Sequence, residues 1–368
     1  MPQAFRPSVQ CLDYFKIKDI LHFTKHHSLN SRLYKEFQEN SLKHSSEAIA
    51  QLKHLHLKNT HKMLRFVTEL VRISELFKQH NIPMITFKGP VLSMQLYGDI
   101  NSREPRDLDI FIHKQNIDKA KLFLEQEGYC VKHPDTPLSP KQWLTYKSRA
   151  KDISLYHPEK KVHIDLHWRW VHIPDMFNPG EAVWEAATEI EIANRKLKTL
   201  SPEYNLLYLC MHSSKHAWLE LHWMCDVAAL LQQKDDWGWP QLLEQAKHLH
   251  IERCLAEALC LCHEIFHYPI PSVIQTYIDQ DRKVKWLVKI TLHMLQKKPN
   301  RGLIFLSELL LTRSWRSRLA ITLHLDSSLV GTWKRYPLPE KLYSLYYLIF
   351  PVDFAYRTIR SIVQKIRA

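Results

Sequence analysis

Arg106-Asp107-Leu108-Asp109-Ile110-Phe111-Ile112 is the stretch on which the fold turns. Acidic and apolar residues alternate at the period of a strand, so Asp107 and Asp109 share one face while Leu108 and Ile110 point into a core. Two neighbouring carboxylates repel unless something positive lies between them, and a hard divalent cation with oxygen ligands is the usual answer. Taken alone, the short D-x-D pattern fits a solvated strand face better. Its surroundings shift that balance.

On the N-terminal side, Met84 to Phe87 reads as a short buried strand, followed by Lys88-Gly89-Pro90 and a helix through Tyr97. Pro90 suits the first turn of that helix, where its missing N–H is not needed. Helix N-terminal amides can hold phosphate, Gly89 permits close approach, and Lys88 offsets negative charge. On the C-terminal side come a helix around Ala120 to Leu124, a strand Tyr129 to Val131, a proline-rich loop, and strands Asp152 to Tyr156 and Val162 to Trp168. The last of these carries His163, Asp165 and His167 on its polar face. If it lies beside the Asp107 strand, Asp165 becomes a third carboxylate. His163-x-Asp165-x-His167 also reads as a transition-metal site, because imidazoles favour softer ions. The preferred reading is a polar face in which Asp165 alone matters. Three carboxylates beside a phosphate-binding turn suit a two-metal phosphoryl transfer, with Asp165 able to take the proton of the attacking hydroxyl.

Around this mixed α/β unit the pattern is helical. Apolar residues from Ile49 to Phe77 recur mostly at spacings of three and four, predicting a helix over 45–79. Beyond Ser201-Pro202-Glu203-Tyr204, which resembles a helix-capping signal, helices dominate. The predicted organisation is an N-terminal helical segment, 1–55; a core, 56–200; and a helical domain, 201–368, with a basic last quarter.

Composition narrows the class. The chain has 368 residues, 45% of them apolar, enough for a buried core. Its seven cysteines include no C-x2-C pair, and the first residues carry no signal-peptide pattern. No apolar run reaches the roughly 18 to 20 residues of a membrane span. A cytoplasmic protein is expected, with a peripheral membrane location as the variant. The net charge of +13 is concentrated: from Asp281 to the end there are 17 Lys or Arg against 5 Asp or Glu. Arg313, Arg316 and Arg318 beside Trp315 could track RNA. Tyr343, Tyr346, Tyr347, Phe350 and Phe354 with Arg357, Arg360, Lys365 and Arg367 could instead lie on an anionic membrane. A solvated helix face is the third reading.

The string Phe87-Lys88-Gly89, Leu92, Leu96-Tyr97, Arg103 and Arg106-Asp107-Leu108-Asp109-Ile110 resembles the uncharacterised nucleotidyltransferase family of the polymerase-beta-like superfamily. Val162 to Trp168, Leu207 to Leu231 and Leu338 to Pro351 are similar to further segments of that family, extending the likeness over roughly residues 45 to 357. The resemblance implies an α/β (α+β) fold: a minimal nucleotidyltransferase core with a small mixed sheet, then a larger helical domain. It implies transfer of a nucleoside monophosphate from a nucleoside triphosphate such as ATP to an acceptor, left open among a small molecule, a peptide, a protein and an RNA. Mg2+, or Mn2+, is the implied cofactor, held by Asp107, Asp109 and Asp165. Lys88 and Gly89 are the implied triphosphate contacts, with Ser93, Arg103 and Arg106 as further nucleotide-binding residues. Pro90 stands where the wider superfamily has serine, and Phe350-Pro351 where members often have Arg-Pro. Asp107→Asn and Asp109→Asn are both expected to leave stability equal or higher by relieving repulsion.

Other readings stay open. A non-catalytic nucleotide-binding or scaffold protein fits the missing serine. His263-Glu264-Ile265-Phe266-His267 is a literal H-E-x-x-H, the pattern of a zinc hydrolase, but 23 histidines make a chance match unremarkable. His212 and His216, four apart with Asp226 beyond, suit either a substrate contact or packed polar groups. Trp218, Trp223, Trp237 and Trp239 are expected in the core.

Overall fold

The apolar periodicity before Gln79 forms one long helix, and the sheet is built against it. A computed structural model describes residues 17–39, 46–297, 299–323, 329–350, 352–353 and 356. Helices α1 (Ile17–His26) and α2 (Asn30–Glu39) precede α3 (Ser46–Gln79). The α3 residues Met63, Phe66, Leu70, Ile73 and Phe77, on one face of the helix, are all buried.

Five strands follow, interleaved with helices: β1 (Met84–Thr86), α4 (Gly89–Tyr97), β2 (Leu108–Ile112), α5 (Ile117–Gln126), β3 (Cys130–His133), α6 (Pro140–Arg149), β4 (Asp152–His157) and β5 (Val162–His167). The sheet order is β1-β2-β5-β4-β3. It is mixed: β2 and β5 run parallel, and every other neighbouring pair is antiparallel. Leu108, Ile110, Ile112, Ile153, Leu155, Ile164 and Leu166 join the α3 residues in one apolar cluster. The opposite face, carrying Phe111, belongs to a second cluster shared with the helical half. Period-two alternation therefore aims Asp109 and Asp165 at the helical half rather than at α3.

Beyond β5 lies a short helix, α7 (Ala182–Glu185), and then a hairpin, β6 (Thr188–Ile192) and β7 (Arg195–Thr199). The hairpin escapes the sequence pattern because its strands are short and charged, with only Ile192 and Leu197 among its apolar residues fully buried. The larger helical region is α8 (Pro202–Lys215), α9 (Leu221–Leu231), α10 (Trp239–His248), α11 (Glu252–Phe266), α12 (Ser272–Gln280), α13 (Arg282–Gln296), α14 (Arg301–Leu311), α15 (Trp315–Leu323) and α16 (Leu329–Arg335). Ser201 caps α8 by accepting from the Tyr204 amide at 3.3 Å, and Pro202 opens it. Trp218 and Trp237 are buried, as expected of core tryptophans.

The two halves are joined by a buried ion cluster. Asp226 on α9 is 0% exposed and accepts from Arg32 at 2.7 Å, Arg103 at 2.9 Å and Tyr97 at 2.7 Å. One carboxylate thus ties α2, the loop before β2 and α4 to the helical region. Near the end of the described residues a 3-10 turn, Glu340–Leu345, leads into a helical stretch at residues 346–350. Phe354, Arg357, Arg360, Lys365 and Arg367 lie outside the described residues. Among the described residues no helix is long and apolar enough to cross a membrane.

Candidate active site

The parallel pairing of β2 and β5 brings the carboxylates together. Asp109 and Asp165 are register partners on adjacent strands, so their side chains emerge from the same sheet face. Asp107 lies in the turn just before β2. Lys88, at the N-cap of α4, extends its Nζ to 3.2 Å from Asp109 Oδ1. The turn holding it requires glycine: Gly89 has φ +56°, in the left-handed region. The constraint is the backbone and not the space, because a Cβ there would meet the Asp107 carbonyl at 3.7 Å, an ordinary contact.

The charges are unequal. Asp107 is pushed up to about 7, by burial first and then by the negative charge of Asp109 and Asp165. Burial acts the same way on Asp109, but Lys88 and a hydrogen bond from His167 outweigh it and hold this carboxyl below its ordinary range. Asp165 is raised by burial, with His167 opposing and Asp109 and Asp152 adding to the rise. Lys88 is itself buried, which disfavours its charge, yet Asp109, Tyr208 and Asp107 raise it above the ordinary lysine value. Asp109 is therefore compensated within the protein, whereas the charges on Asp107 and Asp165 are only partly offset.

His167, which the sequence placed on the polar face but ranked below Asp165, is brought into the site. It is only 2% exposed, and its Nε2 lies 3.0 Å from Asp109 Oδ1. Among the described residues its Nδ1 has no hydrogen-bond partner, and it stands 3.7 Å from Asp152 Oδ2. The preference for Asp165 alone on this strand is corrected accordingly. The signal was present, since a residue two beyond Asp165 shares its face, but alternation does not reveal depth. His163, at the other end of the same face, is exposed and lies against Tyr156 with ring centroids 4.3 Å apart. Ligand atoms of Asp109, Asp165 and His167 all fall within 4.8 Å of one another, a set able to hold a metal ion. Two carboxylates and one imidazole offer the oxygen and nitrogen donors that divalent ions take.

A family model described as uncharacterised nucleotidyltransferase matches residues 13–267. The chain belongs to that family. Among solved structures, the lincomycin-bound lincosamide antibiotic adenylyltransferase LnuA is similar at 23% identity, with 44% of this chain and 94% of that one covered and a TM-score of 0.31. An antigenic nucleotidyltransferase-like protein from Paracoccidioides brasiliensis is similar at 17% identity over 55% of this chain and 96% of its own, with a TM-score of 0.33. No curated protein matches the chain.

In this nucleotidyltransferase the remaining candidate residues have distinct settings. Ser93 is fully buried, and its hydroxyl donates to the Asp99 carbonyl at 2.7 Å, tying α4 to the loop after it. Arg103 is buried in the Asp226 cluster. Arg106 has a side chain 77% exposed and only a 3.4 Å contact to Glu220. His212 is packed between Tyr208 and His216, with ring centroids 5.7 and 4.8 Å away, and burial holds it far below its ordinary value.

The H-E-x-x-H pattern does not form a zinc site. Helix α11 ends at Phe266, and His267 turns away in the left-handed region at φ 57°. His263 Nδ1 lies 3.0 Å from the Tyr268 carbonyl. Among the described residues the sole metal-capable group is the one on β2 and β5.

Part of the basic last quarter is internally engaged. Arg313 pairs with Asp281 at 2.9 Å and Glu252 at 3.2 Å, and Arg318 donates to the Thr312 carbonyl. Tyr346, expected on the surface, is a core residue donating to the Tyr336 carbonyl at 2.6 Å. Tyr347 is 67% exposed.

Proposed function

We propose that this protein transfers a nucleoside monophosphate from a nucleoside triphosphate to an acceptor oxygen by a two-metal mechanism. The observation that carries the reading is the in-register facing of Asp109 and Asp165, with Lys88 Nζ 3.2 Å from Asp109. Asp107, Asp109 and Asp165 are the residues that would hold Mg2+ or Mn2+. Bound there, the ions would supply Lewis acidity to the attacking hydroxyl and to the leaving pyrophosphate.

The chain's own groups do the rest. Lys88 offsets triphosphate charge from the start of α4, where Gly89 leaves room for close approach. Arg106, exposed and weakly held, is free to swing onto a phosphate. Arg103 supports the site from within the Asp226 cluster, and Ser93 from within α4. Asp165, raised by burial, is suited to receive the acceptor proton as the oxygen attacks the α-phosphorus. His167 orients Asp109 through its 3.0 Å contact, as an outer partner of a ligating carboxylate does.

The test is direct. Purified protein should bind ATP or another nucleoside triphosphate in calorimetry only with Mg2+ or Mn2+ present. Incubation of α-labelled triphosphates with cell extract should label an acceptor and release pyrophosphate. Asp165→Asn should abolish labelling while the protein stays folded. Labelling that survives this substitution would remove the proposed mechanism.

A further inference from the structure

The mechanism needs a place for the acceptor, and the fold provides a groove whose wall includes Asp152, a residue 3.7 Å from His167 beside the carboxylates. A cavity of about 490 Å³ is lined by Asp152, Tyr146, Ile173, Ile304 and Phe305 among others. Asp152 is the inner end: it pairs across strands with His167, whose ring touches Asp109. A second cavity, of about 420 Å³, shares His172 and Ala320 with the first and continues outward to Trp333, Tyr343 and Phe350. Either volume suits a small molecule, and together they suit an elongated one.

The charge in the outer part of this groove is one-sided. Among the described residues the outer chamber is lined by Arg149 and Arg169 and by no carboxylate. Among the described residues neither arginine makes an ion pair. His172 between the chambers is depressed to about 3 by burial and Lys215, so it adds no positive charge at neutral pH. The inner chamber is mixed, with Arg301 and Lys151 facing Glu308 and Asp152, and Lys151 is already paired to Asp152. Half-buried arginines beside aromatic walls match an anion joined to an apolar body.

Building on the proposed transfer reaction, we infer that this groove is the acceptor site and that the acceptor is a small amphipathic anion. Its carboxylate or phosphate is held by Arg149 and Arg169, its apolar body lies along Ile173, Ile304 and Phe305, and its nucleophilic oxygen reaches the Asp152 end. There the oxygen forms the new bond to the α-phosphorus as the bond to pyrophosphate breaks, and a hydroxyl's proton passes to Asp165.

Anilinonaphthalene sulfonate, an aromatic anion, and the neutral N-phenylnaphthylamine serve as probes of the full chain. The anion should bind at one site and lose about tenfold or more in affinity in Arg149→Met/Arg169→Met, as expected for removal of charge-assisted contacts. The neutral probe should be unaffected. Arg149→Lys/Arg169→Lys should recover most of the anion's affinity. Ile304→Trp, which fills the inner chamber, should weaken both probes. Dodecanoate and dodecyl phosphate distinguish a carboxylate from a phosphate by which competes better, while dodecanol should compete poorly. Equal binding of the anion to wild type and the Met variant, or competition only by anionic vesicles, would overturn the inference. Magnesium-dependent triphosphate binding, measured in the same variants, should stay unchanged. Its absence from wild type would count against the transferase reading and not against the groove.

Discussion

Replacing Asp107 by Asn in metal-free protein should stabilise the fold at alkaline pH. The carboxyl is moved from its ordinary 3.8 to about 7, chiefly by burial and by Asp109 and Asp165. At about 1.4 kcal/mol per tenfold change in proton affinity, its ionised form is disfavoured by up to ~4 kcal/mol relative to the unfolded chain. Water reaching this partly open position screens some of that, leaving an expected gain of about 1–3 kcal/mol at pH 8. The sign follows from proton uptake. Between roughly pH 4 and 7 the folded protein keeps the Asp107 proton and the unfolded chain has lost it. Wild-type stability therefore falls through that window relative to the variant, and the advantage of Asn is full above it and small near pH 4. Urea unfolding of both proteins in a chelator, at pH 8 and pH 4.5, measures the difference, and the other titrations largely cancel between them. Excess Mn2+ at pH 8 should reverse the order, because only the wild type keeps every ligand. A destabilised variant at pH 8, or an equal gain at both pH values, would refute the reasoning.

Asp109→Asn should behave in the opposite way, contrary to the expectation from repulsion alone. It leaves Lys88 buried without its carboxylate, and a loss of about 3–5 kcal/mol in urea unfolding at pH 7 is expected; no loss would mean that the 3.2 Å pair is not formed. Asp226→Asn strands Arg32 and Arg103 and should cost a similar ~3–5 kcal/mol, with thermal unfolding separating into two transitions; one unchanged transition would deny it a joining role. His167→Ala should weaken Mn2+ affinity about 10–100-fold in calorimetry, and an unchanged affinity would leave it no part in orienting Asp109. Gly89→Ala should lower stability by about 1–2 kcal/mol through its positive φ, and an unaffected melting temperature would argue against that turn.

Local chemistry made much of this protein legible from its residues alone. The helix over 45–79, the strand ahead of Lys88-Gly89, and the alternating runs around Asp109 and Asp165 follow from periods of 3.6 and 2.0, which depend only on backbone geometry. The family likeness was legible for the same reason, being carried by short strings of neighbouring residues. What the sequence could not supply was the partner of each side chain. That β2 and β5 are adjacent and parallel is a long-range pairing, and it alone makes Asp165 a neighbour of Asp109. Depth is equally non-local: His163 and His167 sit on one strand face, yet only His167 lies under protein, so only it meets Asp109. Arg103 and Arg106 differ by three positions and look alike as phosphate contacts. The fold binds Arg103 to Asp226 and leaves Arg106 exposed, because Asp226 arrives from a helix 123 residues away. The two cavities between α6, α14 and the last turns depend on how helices settle against the sheet, and no stretch of sequence records that packing.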